Sequence, residues 1–251
     1  MAHGYRTLQH WDHWLAQHFL GNKLLETEGQ IYSRLLHKHF GKHAVLIGVP
    51  QQYSLLSSSL LACHSLITPL ICQEKKSYLI EGDFHELPIM TASIDLVILP
   101  HTLELVDNPR QLLSEACRII KPEGLMIICG FNPCSFWGIR KLFGKQKGMP
   151  WALNFLPTQK VKNWLQLADF AMEKHTSALF RPPVNHASLY KKFHFLEALG
   201  KKFFPVWGGV YVLVARAKVV PLTPIRMKWK QQLSGIRIST SMSGKIAPNL
   251  K

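Results

Sequence analysis

Along this chain, short unbroken apolar runs alternate with stretches where apolar residues return every three or four positions. The runs are strand-sized: His43–Ile47, Leu66–Ile71, Ser77–Ile80, Ile94–Leu99 and Leu125–Cys129, with Phe170–Phe180 and Gly209–Ala217 further on. Thr68-Pro69 marks the second as an edge or broken strand, because proline cannot donate to a ladder. Between them the helical period is clearest at Asn22–Phe40, where Leu24, Leu25, Ile31, Leu35 and Leu36 share a face between Gly21 and Gly41. Asn108–Ile120 repeats the pattern with Leu112, Leu113, Ala116, Ile119 and Ile120, then stops at Lys121-Pro122-Glu123-Gly124, read as a stop and a turn. Ser135–Phe143, Thr158–Ala168 with Thr158 as N-cap, and His186–Gly200 read as further helices; Gln51–His64 is a weaker one, diluted by Ser57–Ser59. Near-continuous apolar strands alternating with amphipathic helices predict an α/β fold, a mostly parallel, doubly wound sheet covered by helices on both faces.

Composition sharpens this picture in three places. No apolar run approaches the ~20 residues of a spanning helix, and Met1–His18, with its Trp, Asp and His residues, is unlike a signal peptide, so a soluble, cytoplasmic protein is expected. The five cysteines, Cys63, Cys72, Cys117, Cys129 and Cys134, are never spaced C-x-x-C, which predicts buried thiols and neither a disulfide framework nor a metal site. The formal net charge is +15, and from Lys191 onward twelve Lys/Arg face the single acid Glu197. That skew makes nucleic acid or an anionic surface a conceivable partner. The expected organisation is an N-terminal helical extension (1–42), a central domain (43–220) and a basic tail (221–251) whose Ser234–Lys251 stretch is too polar to join a core.

The middle of the chain carries an ordered series of phrases: Glu81-Gly82-Asp83-Phe84, Leu87-Pro88, Ser93-Ile94-Asp95-Leu96-Val97, Asp107-Asn108-Pro109, Leu112-Leu113-x-Glu115-x-x-Arg118 and Lys121-Pro122-Glu123-Gly124. In this order they resemble the type 11 group of class I S-adenosylmethionine-dependent methyltransferases, which have a Rossmann-like fold. Leu24-Leu25-x-x-Glu28, Ile47-Gly48, Pro100-His101-Thr102-Leu103, Gly130-Phe131-Asn132-Pro133 and Gly208-Gly209-Val210-Tyr211 are similar to the YafS-like bacterial branch of that superfamily.

The resemblance implies S-adenosylmethionine as cofactor, bound outside the carboxyl ends of the strands near the point where strand order reverses. Gly48 and Val49 then stand where the family has its glycine-rich loop, although Gly48-Val49-Pro50-Gln51-Gln52 lacks the repeated glycines. Asp83 is the residue expected to accept from the adenine amino group, with Phe84 supplying a backbone nitrogen and an apolar wall, and Pro100 near the methyl donor. No acid occupies Thr68–Cys72, where the family grips the ribose; Glu74 is the nearest. His101, just past the fourth strand, is the candidate acid/base, because imidazole titrates near neutral pH. Asn132 and Arg181 are candidates for lining the acceptor pocket. Asp95 and Asp107 read as structural, a strand-start turn and a helix cap.

The leading expectation is methyl transfer to a small molecule. Its rivals are a degenerate fold that binds nucleic acid or a partner protein, and an RNA methyltransferase using the basic C-terminal region.

Overall fold

In the computed structural model, residues 2–71, 77–143, 148–184, 190, 192–203 and 207–219 are described. Two helices open the chain, α1 (Ala2–Gln17) and α2 (Phe19–Leu36), separated by one extended residue, His18. Strands β1 (His43–Ile47), β2 (Cys63–Thr68), β3 (Leu79–Glu81), β4 (Ile94–Pro100), β5 (Ile120–Phe131), β6 (Phe170–Ala178) and β7 (Val210–Ala217) form one sheet in the order β3-β2-β1-β4-β5-β7-β6. The first five are parallel, whereas β7 runs antiparallel between β5 and β6. Helices α3 (Thr102–Leu105), α4 (Pro109–Ile119), α5 (Phe136–Phe143), α6 (Thr158–Leu167) and α7 (His194–Phe203) follow.

The central strands are apolar throughout because both faces are covered: Ala44–Ile47, Leu96–Leu99 and Leu125–Cys129 are all buried. Each fully buried Leu or Ile contributes roughly 1.5–3 kcal/mol by leaving water. The N-terminal helices join the same core, α1 through Leu8, Trp11 and Leu15 and α2 through Leu24, Tyr32 and Leu36. The expected helix Asn22–Phe40 thus starts three residues earlier and ends at Leu36.

Several expected elements are displaced, each for a local reason. Gln51–His64 is not an α-helix: a 3₁₀ turn, Pro50–Leu56, breaks at the serine run, where Ser57 and Ser59 donate to Ser54 and Leu56 in turns. β2 starts earlier and stops at Thr68, so Pro69 ends it, yet it is an interior strand and β3 is the edge. Asn108, and not Asp107, caps α4, its side chain accepting from the Gln111 N–H. Thr158 is the first residue of α6; Pro157 precedes it as the cap. Lys121-Pro122-Glu123-Gly124 ends α4 as expected but lies within β5 as a bulge, with Glu123 at φ 62° and a register shift against β4. The start of the helix expected at His186 and all of Ser234–Lys251 lie outside the described residues.

The recurring phrases in the middle of the chain are mutual ties. Arg118 donates to the Leu87 and Ile89 carbonyls and pairs with Glu115, while Glu115 accepts from the Leu87 N–H, which binds the loop before β4 to α4. Asp95, inside β4, accepts from the Lys42 and His43 backbone N–H groups and from Lys121 in β5, and so sets the register of three strands at their amino ends. Its partial burial pushes its pKa up, but those hydrogen bonds outweigh burial and hold it below the ordinary carboxylate value.

A depressed carboxylate stabilises the fold above its unfolded pKa, about 3.9, and loses that contribution as pH falls through the lower folded value. Urea unfolding followed from pH 6 to pH 2 should therefore show wild type losing stability below about pH 4 more steeply than Asp95→Asn. Equal pH slopes for the two proteins would remove Asp95 from that role.

Candidate functional site

At the carboxyl end of the sheet, order reverses between β1 and β4, and the loops after these strands face each other. Side chains of the protein already fill this crevice. Gly48 leaves no room for a side chain, since a Cβ there would sit 2.5 Å from Gln52 Oε1. That same oxygen accepts from the Val49 N–H at 3.1 Å, and Gln52 Nε2 donates to the Pro100 carbonyl at 2.9 Å. Gln52 is wholly buried. Thr102 donates to the Ile47 carbonyl, a second stitch between the two strands. From above, α1 places Asp12 Oδ1 3.0 Å from the Gln51 N–H. The N–H groups of Gly48, Val49, Gln51 and Gln52 thus all have acceptors inside the protein.

Behind this crevice lies a dry polar cluster. His101 follows β4 in the left-handed region, φ 59°, an uncommon conformation for a residue with a side chain, costing roughly 1–3 kcal/mol. Its Nδ1 meets Glu104 Oε2 at 2.9 Å and its Nε2 meets Glu28 Oε1 at 2.7 Å. Glu104 is one short turn along, in α3, and its other oxygen accepts from the Phe131 N–H at 2.7 Å. Glu28 arrives from α2, on the same helical face as Leu24 and Tyr32. Cys129, near the end of β5, completes the group with its thiol 3.4 Å from Glu28 Oε1. All are at most 3% exposed. Trp11 and Phe131 wall the imidazole at ring-centroid distances of 5.5 and 4.2 Å.

Burial alone would push the His101 pKa down, but the Glu28 charge and the bonds to its partners raise it well above the ordinary histidine value. Burial also pushes the Cys129 thiol up to about 12. Both ring nitrogens thus face carboxyl side chains, an arrangement that favours the protonated ring. Taking away one partner of such a buried pair costs about 3–5 kcal/mol, because the remaining charge is stranded.

The structure places most of the candidate residues apart from one another. Gly48, Val49 and Pro100 are brought together, but by Gln52, and all three are turned inward. Phe84 is buried in the core, 3% exposed, and so does not form an open wall. Asp83 is exposed on the rim after β3, with Oδ1 accepting from the His85 N–H. His101 is enclosed on every side with both nitrogens engaged, so in this conformation it does not face an acceptor. Asn132 holds a turn: its Nδ2 donates to the Gly208 carbonyl and its Oδ1 accepts from the Cys134 N–H. Arg181 lies elsewhere, over the Tyr190 ring and 3.8 Å from Glu197. Glu28, Gln52 and Asp12 were missed. A charged Glu28 four residues from Leu24 on an apolar helix face was the available signal.

A cleft of about 450 Å³ opens beside the cluster, lined by His10, His13, Trp14, His18, Gly148, Met149 and Ala152. Trp14 stacks on Trp11 at 5.1 Å, and Trp11 in turn touches His101.

The fit to the implied cofactor is uneven. The rim after β3 suits it, with an exposed carboxylate beside the sheet edge. The loop after β1 does not in this conformation, because Gln52 and Asp12 take the donors that a ligand would use.

The comparisons with known proteins agree with the fold. A methyltransferase-domain family model matches residues 66–128. The Escherichia coli (strain K12) protein YafS is 32% identical over 160 residues, 63% of this chain and 62% of that protein. The matched stretch thus spans under two thirds of that relative. Among solved structures, a SAM-dependent methyltransferase of Thermotoga maritima superposes with a TM-score of 0.58 at 17% identity, covering 84% of this chain and 100% of that one. The N-methyltransferase NodS of Bradyrhizobium japonicum, solved with S-adenosyl-L-homocysteine, gives 0.55 at 11%, covering 85% and 98%. At these identities the likeness is one of fold.

Replacing Gln52 by Ala strands the buried Val49 N–H. Urea denaturation should show a loss of about 1–3 kcal/mol, the scale of an unsatisfied buried donor. A loss below about 0.3 kcal/mol would mean that the loop closes without the amide.

Proposed function

We propose that this protein is a class I S-adenosylmethionine-dependent methyltransferase, of the type 11 group and near YafS, that methylates a small-molecule acceptor. The observation that carries the reading is the sheet: order β3-β2-β1-β4-β5-β7-β6 with only β7 reversed, and its switch point between Gly48 and Pro100. S-adenosylmethionine, when bound, supplies a methyl group already activated on a sulfonium, so the protein's task is to hold two partners in line and exclude water.

In this reading Asp83 receives the adenine end of the cofactor at the open rim after β3. The amino-acid end needs the donors after β1, so Gln52 and Asp12 withdraw as it enters. His101 acts as a positioning residue, fixing the loop after β4 through Glu28 and Glu104 without touching the acceptor. The cleft beside Trp14 is where the acceptor enters. Its volume lies in the range of small-molecule sites, and among the described residues its lining contains no Lys or Arg to hold a phosphate backbone. Among the described residues no helix is long and apolar enough to cross a membrane. The reading places the protein in the cytoplasm.

Calorimetric titration of the full chain with S-adenosylmethionine and S-adenosylhomocysteine tests the proposal. Both should bind one to one, and Asp83→Ala should weaken them by about 1–3 kcal/mol, roughly 5- to 150-fold. Gln52→Ala should act in the opposite sense and tighten binding, because the amide and the cofactor compete for the Val49 N–H. No heat with either ligand, for wild type and Gln52→Ala alike, would defeat the proposal.

A further inference from the structure

Three atoms able to ligate a metal meet in the dry cluster: Glu28 Oε1, His101 Nε2 and Cys129 Sγ, all within 4.8 Å of one another. They come from α2, from the turn after β4 and from β5, far apart in sequence. We propose that they form a site for zinc, or another divalent transition ion that accepts thiolate, which pins the N-terminal helices to the carboxyl edge of the sheet.

The donor set selects the ion. One sulfur, one imidazole nitrogen and one carboxylate oxygen suit zinc and its transition-metal neighbours; magnesium and calcium prefer oxygen alone. The geometry admits it as well. The three separations are 2.7 Å (oxygen to nitrogen), 3.4 Å (oxygen to sulfur) and 3.8 Å (nitrogen to sulfur). An ion at zinc bond lengths, about 2.0 Å to nitrogen and oxygen and about 2.3 Å to sulfur, would see them at angles of about 80°, 100° and 120°. These add to less than a full circle, so the ion stands to one side of the triangle and keeps a fourth direction open.

Two further buried oxygens belong to the same cluster. Glu28 Oε2 has no hydrogen-bond partner. The Tyr32 hydroxyl, one turn further along α2 and beside Cys129, has no hydrogen bond of ordinary geometry. Unsatisfied polar atoms at full burial are rare in native proteins and call for an unseen partner. A proton shared by His101 and Glu28 satisfies neither of these oxygens.

The surroundings also suit a ligand histidine. Its other nitrogen, Nδ1, is held by Glu104, and Glu104 is held by the Phe131 N–H, the carboxylate–histidine support that orients metal-bound imidazoles. The left-handed backbone at His101 further fixes the direction of the ring. Binding the ion releases two protons, one from His101 Nε2 and one from the Cys129 thiol, leaving neutral imidazole and thiolate as ligands. The site is buried out of reach of solvent, so its role is structural and does not depend on the methyl-transfer proposal.

The test uses the full-length chain with any affinity tag removed, freed of metal by a chelator and titrated with cobalt(II). Wild type should take up about one equivalent and develop a thiolate-to-cobalt charge-transfer band in the near ultraviolet, with the intense visible bands of a four-coordinate ion. Cys129→Ser should lose the near-ultraviolet band. Should that variant fail to fold, Glu28→Gln is read instead and should bind cobalt at least about 10-fold more weakly. Folded wild type that takes up less than about 0.1 equivalent overturns the site and leaves a proton between Glu28 and His101. A band that persists in folded Cys129→Ser, or undiminished cobalt affinity in Glu28→Gln, overturns it equally, placing the metal on other residues such as His10 and His13.

Discussion

The structure depends on one buried charge arrangement: an imidazole held between two carboxylates where no water reaches. His101 and Glu28 are each other's partner at full burial, which is what lets a carboxylate stand on an apolar helix face. Such an arrangement adds little stability relative to a well-packed apolar one, yet its loss by halves is severe. Its effect is one of placement. It fixes α2 against the turn after β4, and Glu104 extends the connection through the Phe131 N–H into β5. Gly130 belongs to the same arrangement, because a Cβ there would meet the Tyr211 hydroxyl at 2.5 Å and Glu104 at 3.2 Å.

The fold was readable from the sequence because its strands are buried on both faces and therefore uniformly apolar. The phrases from Glu81 to Gly124 were readable for a different reason: they encode the Arg118–Glu115–Leu87 clamp and the Asp95 junction, whose geometry admits few other residues. Less was visible at the ends of elements. Ser57–Ser59 weakened a helix without announcing a 3₁₀ turn, and the bulge at Lys121–Gly124 looks in sequence like the end of a helix and a turn.

The site was harder to read because its decisive contacts are long-range. Asp83 and His101 stand in recognisable phrases, so the sequence singled them out as candidates. Gln52 stands in the position of a loop residue, and nothing local shows that its amide returns to fill the space beside Gly48. Cys129 reads as one more small apolar residue in a strand. Only folding brings it beside Glu28, 101 positions away. Cysteine spacing speaks of metals when ligands are neighbours in sequence, and here they are not.

That separation has a kinetic meaning. Glu28 and His101 are 73 residues apart, and closing so long a loop is paid in chain entropy before any contact rewards it. The same holds for Cys129, 101 residues from Glu28, so the whole cluster is made of contacts that no local segment can form by itself. Its groups are desolvated only when α2, the turn after β4 and the end of β5 come together, which ties the loss of their hydration to the closing of the domain.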